Sequence, residues 1–273
     1  MDNVISTVIK SHPEIVEHLS SNAMILAVGE EAYYKAIGRD KNEPGAKQKE
    51  KAERKLAALI KRIFDRQKRD IEPQLQTAIY SKSTFNIDWT DLESNEFVAL
   101  VIELVQDGIN LFRQQTFDSF SDEFINVGAA IEARKYSYEL IKVLGKQVNG
   151  TTLDAIRNAI TSFVEVPGTT IVDVMESLPF SADRALRIAV TETTRIYAQA
   201  NQIAGEELQR EFPDLTVVKT WYTNRDDKTC AAICVPLHMV TVPINETFNG
   251  YDNPPAHVNC RCWSDYGTTL GNL

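Results

Sequence analysis

The side chains best equipped for chemistry sit close together late in the sequence. A Cys-x-x-x-Cys pair (Cys230, Cys234) is followed, after a Pro-rich loop, by His-x-x-Cys-x-Cys (His257, Cys260, Cys262), and these are all four cysteines of the chain. Thiolate and imidazole are the preferred ligands of Zn2+, and a tetrahedral ion needs four of them. Five are on offer, so four thiolates, or three thiolates and His257, could close a site with one group to spare. Cys230 and Cys234 can chelate from a turn. Cys260 and Cys262, on either side of Arg261, can share an ion if the backbone there is extended or sharply bent. The loop containing Asn245, Gly250, Asn253, Pro254 and Pro255 would bring the two halves together. A closed site is structural, and its binding energy acts as folding energy on the order of 10 kcal/mol. Reduced, partly buried thiols and one or two disulfides are the alternatives. The first residues do not read as a secretory signal, and chelating spacing without one favours metal. A catalytic Cys–His pair fits less well, because no third group is evident to orient the imidazole.

The elements that must hold this cluster can be read around it. Ser181 is a good N-cap, Asp183 sits in the first turn, and Ala185, Ile188, Ala189, Ile196, Ala200 and Ile203 recur at helical spacing, so a long helix is expected to run from 181 to between 208 and 212, before Pro213. Glu192 falls on the same apolar stripe. A carboxylate there needs a partner, such as Arg195, Arg261 or backbone amides of the Asp-rich turn, and the expected role is a clamp of Glu192 and Arg261 between helix and tail. Residues 216–223 are β-branched and aromatic and predict a strand, 224–229 a turn, and 239–244 a second short strand kept at an edge by Pro243.

Upstream the pattern is helical. Pro13 can open a helix after Ser11, and Pro44–Gly45 separates it from the next. Ala52, Leu56, Leu59, Ile60, Ile63 and Phe64 trace one face of an amphipathic helix between 48 and 80, in which Pro73 marks a kink or an end. The polar interval 81–95, with Trp89, reads as a loop. Residues 97–112, 124–144 and 153–164 predict three further helices, divided by Gly145, an Asn149–Gly150 turn and Pro167–Gly168. The fold class is therefore α+β and predominantly α-helical: a helical region over 1–180, then a small α+β domain over 181–273 with short strands and a Cys/His cluster stapled by zinc.

The net charge of −9 argues against coating nucleic acid with the whole surface. Locally the balance reverses, with ten basic residues against three acidic ones between Lys47 and Arg69. Lys61, Arg62, Arg66, Lys68 and Arg69 could meet phosphates of packaged double-stranded DNA or an acidic protein, or form an ordinary solvated face. No run approaches the roughly twenty apolar residues that cross a bilayer, so no membrane partner is expected.

Three stretches, taken in order, carry a family resemblance. They are Ser181 to Asn201 (SADRALRIAVTETTRIYAQAN), Lys219 to Cys230 (KTWYTNRDDKTC) and Pro254 to Cys262 (PPAHVNCRC). Together they resemble the phage Mu F-like head-morphogenesis family, the minor capsid proteins of tailed phages and prophages; Val190 stands where that family usually has Arg. The resemblance covers roughly residues 181 to 265. It implies a non-enzymatic virion protein, made in the host cytoplasm, that associates with the portal protein and major capsid protein at the portal vertex or capsid interior. Its part would be in head assembly, genome packaging or delivery.

Two other classes compete. A zinc-stapled nuclease would need carboxylates or a His base beside an open metal position, and Asp226, Asp227 and His238 are the nearby candidates. A sequence-independent DNA-binding protein would rely on the basic helix alone.

Overall fold

A computed structural model describes residues 39–40, 42–81, 95–116, 126–165, 171–223 and 230–270. The helix expected after Ser11, most of the polar interval with Trp89, and the 224–229 turn with Asp226 and Asp227 lie outside the described residues.

The first element, α1 (Ala46–Ser81), buries the expected stripe of Ala52, Leu56, Leu59, Ile60, Ile63 and Phe64. It does not end at Pro73: the helix continues to Ser81, with Ile71 and Leu75 buried on either side of the proline. The next, α2 (Asn95–Thr116), matches the expected 97–112 helix. In place of two helices separated by a turn, one long α3 (Asn126–Glu165) runs through Gly145 and Asn149–Gly150. Its weak point is reinforced from within and from outside. Thr151 Oγ1 and Thr152 Oγ1 donate back to Gln147 O and Val148 O at 3.0 and 2.7 Å. Arg184 then donates to Thr151 Oγ1, Thr152 Oγ1 and Val148 O at 2.8, 2.9 and 3.2 Å. A local turn signal is overridden by tertiary hydrogen bonds.

After the short α4 (Ile171–Ser177) comes α5 (Ala182–Glu211), the axis of the molecule. Ser181 Oγ caps it by accepting the Arg184 N–H at 3.1 Å, and Phe212 closes it before Pro213, as the sequence predicts. The helix packs against α1, α2, α3 and the sheet, so its buried residues occupy several faces rather than a single stripe. Where α2 crosses it, Gly108 lets the backbones meet: a Cβ there would stand 2.6 Å from the Ala200 Cβ.

The sheet has the order β2-β1-β3, all antiparallel. The central strand β1 (Leu215–Tyr222) turns Val217, Lys219 and Trp221 inward and leaves Val218, Thr220 and Tyr222 half-buried. One helical turn, α6 (Cys234–Leu237), precedes β2 (Thr241–Pro243), which takes the edge position expected for a Pro-bearing strand. The third strand, β3 (Trp263–Leu270), pairs along all of β1 with Tyr222 opposite Trp263 and Leu215 opposite Leu270. Its sequence, with Asp265 and Gly267, does not announce a strand.

One apolar core joins α1 to α5 with Val217, Ile244 and Tyr266 of the β-rich part. A second, smaller one contains Trp221, Leu237 and Phe248 together with Cys234, Cys260 and Cys262. Trp221 and Phe248 meet edge to face with centroids 5.3 Å apart.

Candidate metal centre

The five candidate ligands converge. Cys230 lies just before α6 and Cys234 opens it, while His257, Cys260 and Cys262 come from the loop that leads into β3. Two groups have ligand atoms all within 4.8 Å of one another: Cys230, Cys234 and His257, and Cys234, Cys260 and Cys262. Cys234 belongs to both. Its Sγ is 3.1 Å from His257 Nε2 and 3.9 Å from Cys260 Sγ. All four cysteines are free thiols.

Local backbone geometry aims these groups. The Cys234 N–H donates to Cys230 O at 3.0 Å, which closes the turn between the first two thiols. Cys260 N–H donates to His257 O at 3.2 Å and closes the second turn. Within that turn Asn259 has φ 59°, a left-handed conformation that Asn tolerates better than most side chains. His257 Nδ1 lies 2.9 Å from Val258 O, so Nδ1 carries the hydrogen and Nε2 is left with its lone pair toward Cys234. Backbone N–H groups of Ile233 and Cys234 lower the Cys230 thiol below its usual range. In the buried group, a hydrogen bond with Cys234 favours the Cys260 thiolate, and the same sulfur contacts push the Cys262 thiol up. The donor set is thus soft, closely spaced and mostly buried, which fits a zinc-type ion held for structure.

The loop is fastened to α5 by hydroxyls that the sequence does not single out. Thr191 Oγ1 accepts the Asn259 N–H at 2.8 Å, and Thr194 Oγ1 donates to Cys260 O at 3.3 Å. Thr194 in turn accepts from Arg39 Nη2 at 3.3 Å, and Arg39 belongs to a fully buried ion cluster. Arg39 Nη1 donates to Glu43 at 2.6 Å, its Nε donates to Glu53 at 2.8 Å, and Lys49 Nζ donates to Glu43 at 2.7 Å. Burial opposes ionisation of Glu43, but Arg39 and then Lys49 outweigh it and hold the carboxyl low; burial wins at Glu53 and pushes that carboxyl up.

Glu192 is buried and pairs with Arg195 Nε at 3.0 Å, the first of its expected partners. Arg261 is buried between the two cysteines of the loop. His238 stands apart from both ligand groups: its Nδ1 accepts the Thr223 N–H at 3.1 Å, and its ring meets Tyr222 edge to face at 5.8 Å. On α1, Arg62, Arg66 and Arg69 are exposed and Lys61 and Lys68 half-buried; Lys61 pairs with Asp65, and Arg62 with Glu96 at 2.6 Å.

A further polar hub, also unforeseen, locks sheet to helix. The buried Lys219 Nζ donates to Gln202 Oε1 at 3.2 Å and Asp252 O at 2.8 Å, while Asn253 Nδ2 donates to the same Gln202 oxygen at 3.1 Å. A Lys at an inward strand position was the available signal.

Fold and centre together define a small α+β module, built on a long helix and carrying a Cys/His cluster that could hold a metal. Residues 147–264 match the family described as Phage Mu protein F like protein. The match begins in the second half of α3, where Arg184 of α5 donates to Val148, Thr151 and Thr152. The family is one of phage head-morphogenesis proteins. No curated protein and no solved structure gives a significant match. Among the described residues no helix is long and apolar enough to cross a membrane.

Proposed function

We propose that this chain is a minor head protein that acts by binding, at the portal vertex or on the capsid interior, and assists head assembly, genome packaging or delivery. The observation that supports this most is the family match over residues 147–264. In this reading residues 181–273 form a rigid docking unit and the region before 181 supplies the surface that meets portal, capsid protein or DNA. The Cys/His cluster holds one structural Zn2+. The ion would cross-link the turn before α6 to the loop before β3, and so fix the shape of a segment whose own apolar core is small.

Packaged DNA is a second partner in this proposal, met through phosphates by the solvent face of α1. Arg62, Arg66 and Arg69 are exposed there. Exposed ion pairs such as Arg62–Glu96 contribute about 0–1 kcal/mol and exchange readily for phosphate.

The test is co-expression with the portal and major capsid proteins of the same genome, followed by density purification and measurement of the copy number of this chain. Retention at a fixed number of copies per particle is expected. Absence from particles that otherwise form normally would overturn the assembly role.

A further inference from the structure

We propose that Thr194 is a positioning residue that couples the candidate metal centre to the buried ion cluster at the start of α1, so that loading the centre tightens the docking of α1 on α5. The proposal rests on the reading of the centre as a zinc site and adds a regulation to it: a bound ion presets the helix that carries the basic face.

Chemistry sets the direction of both bonds that Thr194 makes. A guanidinium only donates and a carbonyl only accepts. Arg39 Nη2 therefore gives a hydrogen to Thr194 Oγ1 at 3.3 Å, and Thr194 gives its own to Cys260 O at 3.3 Å, across separations of 155 and 66 residues. Both bonds are buried. One hydroxyl thus joins the loop of the candidate ligands to a segment outside the family match.

The neighbouring Thr191 shows what Thr194 forgoes. Its Oγ1 donates back to Arg187 O at 2.8 Å and accepts the Asn259 N–H from the loop. A helical threonine has this choice because one of its two rotamers brings the hydroxyl to a carbonyl three or four residues earlier. When the loop moves away, the Thr194 proton turns to the carbonyl of Val190, and its lone pairs turn from Arg39. Arg39 is buried, with Nε on Glu53 and Nη1 on Glu43. Losing the acceptor of Nη2 leaves a buried donor poorly satisfied, which weakens the arrangement that holds it.

The same cluster meets α5 again one turn on, where Lys49 Nζ stands 5.5 Å from the centroid of the Tyr197 ring. The relay therefore ends on a helix–helix contact. Coupling of this kind is reciprocal: as the ion favours docking, docking raises the affinity for the ion.

Hydrogen exchange on the full chain, zinc-loaded and after a strong chelator, reads one direction. Chelation should speed exchange at the amides of Lys49 to Leu56 by about tenfold, a common size for coupled sites, alongside its local effect in 257–262. In Thr194→Val the effect on α1 should vanish while the local one remains. Thr194→Ser, which keeps the hydroxyl, should behave as the parent.

Competitive zinc titration reads the other direction. Arg39→Gln and Thr194→Val should each weaken zinc binding by about tenfold, the lower end for an outer partner of a metal site, and the double variant should lose no more than the weaker single one. Thr191→Val, which acts on the same loop through Asn259, should instead add its loss to that of Arg39→Gln. Equal exchange at Lys49 to Leu56 with and without zinc, or additive losses at Arg39 and Thr194, would overturn the coupling and leave the zinc reading standing. A parent chain that takes up no zinc under reducing conditions would overturn both.

Discussion

The backbone N–H of Asn259 donates to Thr191 Oγ1 over 2.8 Å, joining the loop of His257 and Cys260 to the middle of the long helix 68 residues earlier in the chain. Thr194, one turn further along that helix, reaches the Cys260 carbonyl. The shape of the candidate centre is therefore set by α5 as much as by its own turns.

Replacing Thr191 with Val would keep the volume but leave the Asn259 N–H without this acceptor. A loss of about 1–3 kcal/mol is expected, the usual cost of an unsatisfied donor. Thr191→Ser, which retains the hydroxyl, should lose less. Urea denaturation of the two variants checks the order.

Asn259 itself holds φ 59°. Asn259→Ala should destabilise the chain by about 1–2 kcal/mol, the cost of a left-handed conformation for a residue with a Cβ and no compensating side-chain polarity. Asn259→Gly should be close to neutral in the same measurement, because glycine reaches that region freely.

The ion cluster of Arg39, Glu43, Lys49 and Glu53 is buried and charge-balanced. Removing one member strands its partners, so Glu43→Ala is expected to cost about 3–5 kcal/mol. A loss below about 1 kcal/mol in equilibrium denaturation would mean that the cluster is not closed to solvent in solution.

Burial pushes the Glu192 carboxyl above its ordinary range, with Arg195 opposing. An acid raised in this way binds its proton more tightly folded than unfolded. Its contribution to stability therefore falls as pH rises from the unfolded value, about 4.3, through the folded one. Glu192→Gln removes that titration. Relative to the parent, the variant should gain stability as pH rises through this window and hold the gain at neutral pH. Denaturant midpoints of both proteins between pH 4 and 8 would show it; an advantage that grows on acidification would contradict the assignment.

Much of this was legible in the residues. The apolar stripe of Leu56, Ile60 and Ile63 predicted α1, Ser181 and Pro213 bracketed α5, and the spacing of Cys230, Cys234, His257, Cys260 and Cys262 predicted their convergence. What escaped depended on partners distant in sequence. The Asn149–Gly150 pair reads locally as a turn, and only Arg184 and the two threonines show why α3 passes through it. The third strand has weak β propensity and exists because β1 offers it a full ladder of hydrogen bonds. Thr191 and Thr194 look like helix-surface residues until the loop is laid on them. The members of the Arg39 cluster all lie between residues 39 and 53, and what the sequence does not announce is their burial, where Thr194 of α5 accepts from Arg39.

The central claim is that a bound ion staples the C-terminal module. The direct measurement is the zinc content of the full chain purified under reducing conditions, with its denaturation midpoint before and after a strong chelator. The account predicts about one zinc per chain and a midpoint that falls on chelation, together with exposure of Trp221, now fully buried beside the thiols. Zinc far below one per chain, with a midpoint the chelator does not move, would contradict it.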